Sequence, residues 1–207
     1  PMRLCYLLYL QPEFCKPLPS TTLMSVPSDP YAHTPVLIHD VVEAFVPVVL
    51  EGMIDCTVGA GGHAAALLTH HPELKYYLGL DQDPYALALS KERLAPWGAK
   101  VVLKQGNFAE VEAHWRTFSF PKPNAILADL GVSSMQLDRP ERGFSFMREG
   151  PLDMRMNPQL PLTAADLLNT ASERELAKIF RDYGEEKQWK AAARAIVHAR
   201  QQRPFMH

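Results

Sequence analysis

The string Ile54-Asp55-Cys56-Thr57-Val58-Gly59-Ala60-Gly61-Gly62-His63 constrains this chain more than any other. It reads as a buried strand that runs into a glycine-rich turn and then a helix. Glycine there lets the backbone approach a ligand that no side chain could tolerate. Further on, Gly79-Leu80-Asp81 ends a second apolar strand with a carboxylate. An acid at the end of the neighbouring strand is the arrangement that grips the two hydroxyls of a ribose. The pair of features points to an adenosine-type cofactor.

The rest of the chain supplies the frame for such a site. Helix Val36 to Phe45 leads into strand Gly52 to Thr57, and a helix begins over His63 to Leu68. Strand Tyr76 to Asp81 follows, then helix Pro84 to Leu94, with Asp83 as N-cap and Pro84 in the first turn. Pro96-Trp97-Gly98 stops that helix. Lys100 to Lys104 and Ala125 to Leu130 read as further strands, the last almost wholly apolar, as a buried parallel strand is. Strands spaced by helices specify a doubly wound α/β sheet.

After Val132 a Gly/Pro/Arg-rich loop runs to Leu162. Thr163 then caps Ala164 to Leu168, Ser172 and Glu175 form a capping box for a helix to Arg181, and Tyr183-Gly184 closes it. A last helix starts near Glu185. Four strands without a return to the sheet are few for a nucleotide fold, so the chain reads as cut short. The expected organisation is a leader over 1–32, a cofactor-binding domain over 33–134, and a loop with a partial helical insertion over 135–207.

Composition limits the alternatives. The chain has 207 residues, 47% of them apolar, and a net charge of −2, so any attraction to nucleic acid must be local. Cys5, Cys15 and Cys56 have no metal-type spacing and no even count for a disulfide scaffold. His70-His71 is adjacent rather than at i, i+4, which suits a solvated loop, and no metal site is expected. No apolar run approaches the ~18 residues of a membrane span. The first 32 residues hold six prolines and only two acids, which fits a disordered extension or an organelle-targeting leader. The chain begins with Pro1 rather than Met, so the true start is expected to be missing.

Two cofactor classes use a glycine loop with a distal acid. Gly59-x-Gly61-x-x-Ala64 with Asp81 satisfies the dinucleotide fingerprint, which keeps an NAD-type oxidoreductase open. Asp55 on the strand before the loop better suits the amino-acid end of S-adenosylmethionine. The imidazole of His63 would also crowd a pyrophosphate at the helix start.

The remaining motifs are long. They are Ala128-Asp129-Leu130-Gly131-Val132-Ser133-Ser134-Met135-Gln136-Leu137-Asp138, Pro140-Glu141-Arg142-Gly143-Phe144-Ser145-Phe146 and Gly150-Pro151-Leu152-Asp153-Met154-Arg155-Met156. With His33-Thr34-Pro35-Val36 and Tyr183-Gly184-Glu185-Glu186, they resemble the MraW-type methyltransferases, also called ribosomal small subunit methyltransferase H. The resemblance runs from His33 to about Pro204. It implies an incomplete Rossmann-like class I methyltransferase sheet with a helical insertion domain for substrate recognition. It also implies S-adenosylmethionine-dependent methylation of the exocyclic N4 amine of a cytidine in small-subunit (16S-type) rRNA. The family's cofactor contacts fall on Gly61, Gly62, His63, Asp81, Phe108, Asp129 and Gln136.

A cytosine amine is a weak nucleophile, so an acceptor near the nitrogen and strict positioning of the methyl group are the chemical demands. The Asp/Asn-Pro-Pro-aromatic string of many amino-methyltransferases is absent; Asp129-Leu130-Gly131-Val132 stands in its place. Asp129 is therefore the first catalytic candidate and Asp153 the second. Arg139, Arg142, Phe144 and Arg155 mix cations and aromatics in a way suited to RNA contact, and equally to a loop tied down by its own acids. Lys187, Lys190, Arg194 and His198 form a basic stripe that either meets RNA or is solvated.

The partner implied is the small ribosomal subunit, in a plastid or mitochondrion or in a bacterial-type cytoplasm. A non-catalytic S-adenosylmethionine- or RNA-binding remnant in ribosome assembly is the other reading.

Overall fold

A computed structural model describes residues 5–9, 35–118 and 120–207. The chain divides into two compact units, Pro1–Gly131 and Val132–His207. The expected leader and the His33-Thr34 part of the first motif lie outside the described residues, except Cys5–Tyr9.

The first unit is a Rossmann-like α/β sheet. Its elements are β1 (Cys5–Tyr9), α1 (Ile38–Phe45), β2 (Gly52–Asp55), α2 (Gly62–His70), β3 (Tyr76–Asp81), α3 (Pro84–Arg93), β4 (Val101–Gln105), α4 (Val111–Arg116) and β5 (Ala125–Asp129). The strand order is β1-β5-β2-β3-β4. β2 pairs in parallel with β3 on one side and β5 on the other, and β3 pairs in parallel with β4. The chain therefore winds outward from β2 in one direction and then crosses to its other side. That reversal opens a crevice at the carboxyl ends of the central strands, where ligands bind in sheets of this kind.

Alternation along the strands sorts the core. Met53, Tyr77, Ala125 and Leu127 face one side, with Val41 and Phe45 of α1 and Leu67 of α2. Ile54, Leu78, Leu80 and Ile126 face the other, under Val111, Trp115 and Phe118. Tyr76 stacks on Phe120, with ring centroids 5.0 Å apart.

Two expectations change. The sheet has a fifth strand: Cys5–Tyr9 runs antiparallel to Ala125–Asp129, with Cys5 opposite Asp129. A leader would leave the N–H and C=O groups along that edge of β5 unpaired, and this strand-forming segment satisfies them. His71 is buried rather than solvated, and its Nδ1 lies 2.8 Å from Glu73 Oε1. His70 belongs to α2, where Nδ1 donates to Ala66 O.

The second unit begins with α5 (Ser134–Leu137) and continues through a long loop to α6 (Ala164–Thr170), α7 (Glu173–Asp182) and α8 (Trp189–Arg200). Capping boxes at Ser133/Gln136, Thr163/Asp166 and Ser172/Glu175 start α5, α6 and α7. Its core is Leu176, Ala177 and Ala193, with Leu167, Phe180, Ile196 and Val197 against them. Arg200 Nη1 donates to the carbonyls of Leu168 and Ala171, both at 2.7 Å, and so satisfies the end of α6. The last helix starts at Trp189, later than expected.

Candidate active site

The turn after β2 is held from three sides. Gly59 has φ +55° and Gly61 φ +79°, the left-handed region that glycine enters at no steric cost. The Gly61 N–H closes the turn onto Val58 O at 2.8 Å. From β3, Asp81 Oδ2 accepts the Gly59 N–H at 2.9 Å. From α3, the buried Ser90 hydroxyl donates to Gly59 O at 2.5 Å. Both backbone polar groups of Gly59 are thus committed, and its outer face stays open: an added Cβ would meet only Thr57 O, at 3.9 Å.

Asp81 does two structural jobs. Its Oδ1 also accepts the Asp83 N–H at 2.9 Å, while Asp83 caps α3 through Tyr85 N. Each carboxylate oxygen keeps a further acceptor site. Burial pushes the Asp81 carboxyl up from its usual range, offset by the amides of Asp83 and Gly59. A half-desolvated acceptor of this kind gains by receiving two hydroxyl donors. The residues present therefore fit a ribose.

Asp55 sits beneath the turn rather than in its mouth. It shares the face of Met53, so its carboxylate enters the apolar layer, where Tyr77 Oη donates to Oδ2 at 2.7 Å and Thr57 N to Oδ1 at 3.0 Å. Burial raises its pKa from 3.8 to about 6, against the lowering effect of Tyr77, Thr57 and His63. This hydrogen-bonded pair was not legible in the sequence, because Tyr77 reads there as an ordinary strand apolar.

Gly62 and His63 are occupied with packing. An added Cβ at Gly62 would lie 2.2 Å from Pro35 Cγ. His63 is buried, and its Nε2 donates to Val36 O at 2.9 Å. The imidazole is turned onto residues 35–36, so the expectation that it crowds a pyrophosphate loses its geometric basis.

Asp129 ends β5, and its N–H donates to Thr57 Oγ1 at 2.7 Å. Asp55, Asp81 and Asp129 thus close three strands at the same edge of the sheet. Phe108 opens a short 3-10 turn after β4, where Asn107 caps Ala109, and it is 39% exposed. An exposed ring suits the flank of a planar base better than it suits core packing.

The remaining candidates lie in the second unit. Gln136 is buried, and its Oε1 accepts the Ser133 N–H in the capping box. Asp153 accepts from Arg155 N, Nε and Nη2, at 2.9, 2.8 and 2.5 Å. The Arg155 guanidinium holds the Asp153 carboxyl below its usual range, which makes Asp153 a weak proton acceptor. Arg142 is buried, and its Nη2 donates to the carbonyls of Arg155 and Met156 at 2.8 and 3.1 Å. Its guanidinium also lies 5.8 Å from the Phe144 ring centre. Arg139 pairs with Glu141 at 2.7 Å. These cations brace the loop from within, while Phe146 and Met147 are its most exposed apolar side chains.

The model of the MraW methylase family matches residues 30–207. The chain belongs to the MraW methylase family. Within it, a ribosomal RNA small subunit methyltransferase H of Protochlamydia amoebophila is 57% identical over 171 residues, covering 83% of this chain and 54% of that protein. The protein of the same name from Chlamydia trachomatis serovar L2 is 45% identical over 183 residues, 86% and 59% of the two chains. That of Heliobacterium modesticaldum is 46% identical over 176 residues, 84% and 56%. The chain spans a little over half the length of these family members. Among the described residues, no group of three or more His, Cys, Asp or Glu is arranged to hold a metal ion.

Proposed function

We propose that this protein transfers a methyl group from S-adenosylmethionine to the exocyclic N4 amine of a cytidine in small-subunit rRNA. The observation that carries the reading is Asp81, tied to Gly59 and Asp83 with acceptor sites to spare beside an open glycine turn. Membership of the MraW methylase family and the names of the relatives support the substrate class.

When bound, the cofactor supplies an electrophilic methyl group on a sulfonium. Asp81 receives the ribose hydroxyls, the open face of Gly59 admits the chain between ribose and sulfur, and Phe108 flanks the adenine. Asp129 orients the attacking amine at the crevice, and the proton released from nitrogen passes to it or to water. Positioning of this kind accounts for a large part of the rate of a methyl transfer.

The experiment is calorimetric titration with S-adenosylmethionine and, separately, with NAD, using Asp81→Ala as control, followed by radiolabelled methyl transfer to unmodified small subunits. Binding of S-adenosylmethionine that the variant loses, together with transfer, is the expected outcome. Binding without transfer would favour a second reading, a non-catalytic member that binds cofactor and RNA. Binding of NAD alone would overturn both.

A further inference from the structure

The second unit carries a charged groove that the cofactor chemistry does not use. Arg174, Lys178 and Arg181 recur at i, i+4 and i+7 on α7, and Lys190 and Arg194 at i, i+4 on α8. These five cations border one groove of about 690 Å³, together with Glu173, Ala177 and Trp189. Five cations against one acid line it, in a chain whose net charge is −2. The basic stripe expected along α8 is thus replaced by a groove across two helices: Lys187 precedes the helix and His198 is not among the lining residues.

Crowding like charges costs free energy, and the structure shows what offsets it. The Trp189 ring lies under both Arg181, at 5.4 Å, and Lys190, at 4.9 Å. Cation–π attraction holds the two heads over one indole. Because its own cations lie over the ring, Trp189 serves to arrange charge rather than to stack a base. The internal ion pairs are weak competitors. Arg181 pairs with Asp182, and Arg194 reaches Glu173 at 3.7 Å, both at exposed positions where such pairs contribute little.

We propose that the groove between α7 and α8 binds the phosphodiester backbone of single-stranded RNA, a contact that rests on the rRNA reading above and extends it to a second site. Arg174 and Arg181 lie about 10 Å apart along the helix, so successive phosphates are met rather than one. The guanidinium fork matches phosphate oxygens. The apolar lining is a buried Ala177 and a half-buried Trp189, without the hydrophobic centre that a protein partner would need. Contacts to phosphate alone make the binding independent of base sequence.

The test is fluorescence anisotropy of the full chain with a labelled, unstructured RNA of about a dozen nucleotides over a salt series. The Lys178→Gln/Lys190→Gln double variant touches exposed side chains only. It is expected to bind at least tenfold more weakly at low salt and to lose about 1.4 from the slope of log K against log salt, at ~0.7 per phosphate contact. Trp189→Tyr keeps a ring under the cations and is expected to bind nearly as the parent does, whereas Trp189→Leu weakens binding.

Equal binding by the parent and the double variant at every salt, or no RNA binding by the parent at low salt, overturns the proposal. So does tighter, groove-dependent binding of a polyaspartate peptide, which would make the groove a protein-docking site. Titration of the same samples with S-adenosylmethionine separates the two readings. Groove-dependent RNA binding without cofactor binding sinks the cofactor assignment alone, and the converse sinks the groove alone.

Discussion

Thr57 Oγ1 accepts the backbone N–H of Asp129 at 2.7 Å, so a side chain ties the carboxyl ends of two neighbouring strands. The tie continues inward. Thr57 N donates to Asp55, and Asp55 accepts from Tyr77 within the core. A buried tyrosine thereby sets the backbone of the residue proposed to orient the attacking amine. Thr57 and Asp55 act on Asp129 through this chain and are positioning residues.

Thr57→Val keeps the shape and removes the acceptor, leaving the Asp129 N–H without this partner. A loss of about 1–3 kcal/mol is expected in urea denaturation. Methyl transfer should fall more than S-adenosylmethionine affinity does, and Thr57→Ser should restore both. If the valine and serine variants transfer equally well, the hydroxyl does not position Asp129.

Asp55 is a pH-sensitive group of the core. Its pKa rises on folding from 3.8 to about 6, so the folded state binds the proton more tightly than the unfolded chain does. This group therefore favours folding most below the lower value and loses that contribution as pH rises to 6. Relative to Asp55→Asn, the parent should gain on the order of 1 kcal/mol between pH 7 and pH 5. Parallel stability curves for the two proteins would contradict the assignment.

Gly61→Ala puts a β-carbon on a residue at φ +79° and within 3.2 Å of Leu94 Cγ. The left-handed conformation alone costs about 1–2 kcal/mol for a non-glycine residue. We expect a lower melting temperature and weaker S-adenosylmethionine binding. Calorimetry of a variant with unchanged affinity would free the turn from the cofactor role.

Arg142→Met retains the aliphatic stem and deletes the donor to Arg155 O and Met156 O. Two carbonyls then lose a partner, and the expected destabilisation is about 1–3 kcal/mol. Because the guanidinium is buried, RNA affinity in the anisotropy assay should change less than for the groove variants. A larger RNA effect than stability effect would return Arg142 to the substrate surface.

The site was legible where local rules govern it. Glycines at Gly59 and Gly61, the acid Asp81 and the N-cap Asp83 each follow from the backbone conformation or the exposed donors at one point in the chain. Asp83 was expected as a cap and is one. Ser90, Tyr77 and Thr57 escaped notice because a serine on a helix, a tyrosine on a strand and a threonine in a turn are ordinary there. Each matters only through a partner 22 to 72 positions away. His71 escaped for the same reason: burial depends on what packs above it.

The sequence by itself determined the alternation of strands and helices, the positive-φ turn, the capping boxes and, through its long motifs, the family. These depend on neighbours along the chain, where steric and capping preferences act over a few residues. Tertiary structure alone decided that Cys5–Tyr9 completes the sheet edge, that Asp55 and Tyr77 share a hydrogen bond in the core, and that α7 and α8 pool their cations around Trp189. Those outcomes depend on which surfaces meet, and burial and electrostatics are set by distance in space rather than along the chain.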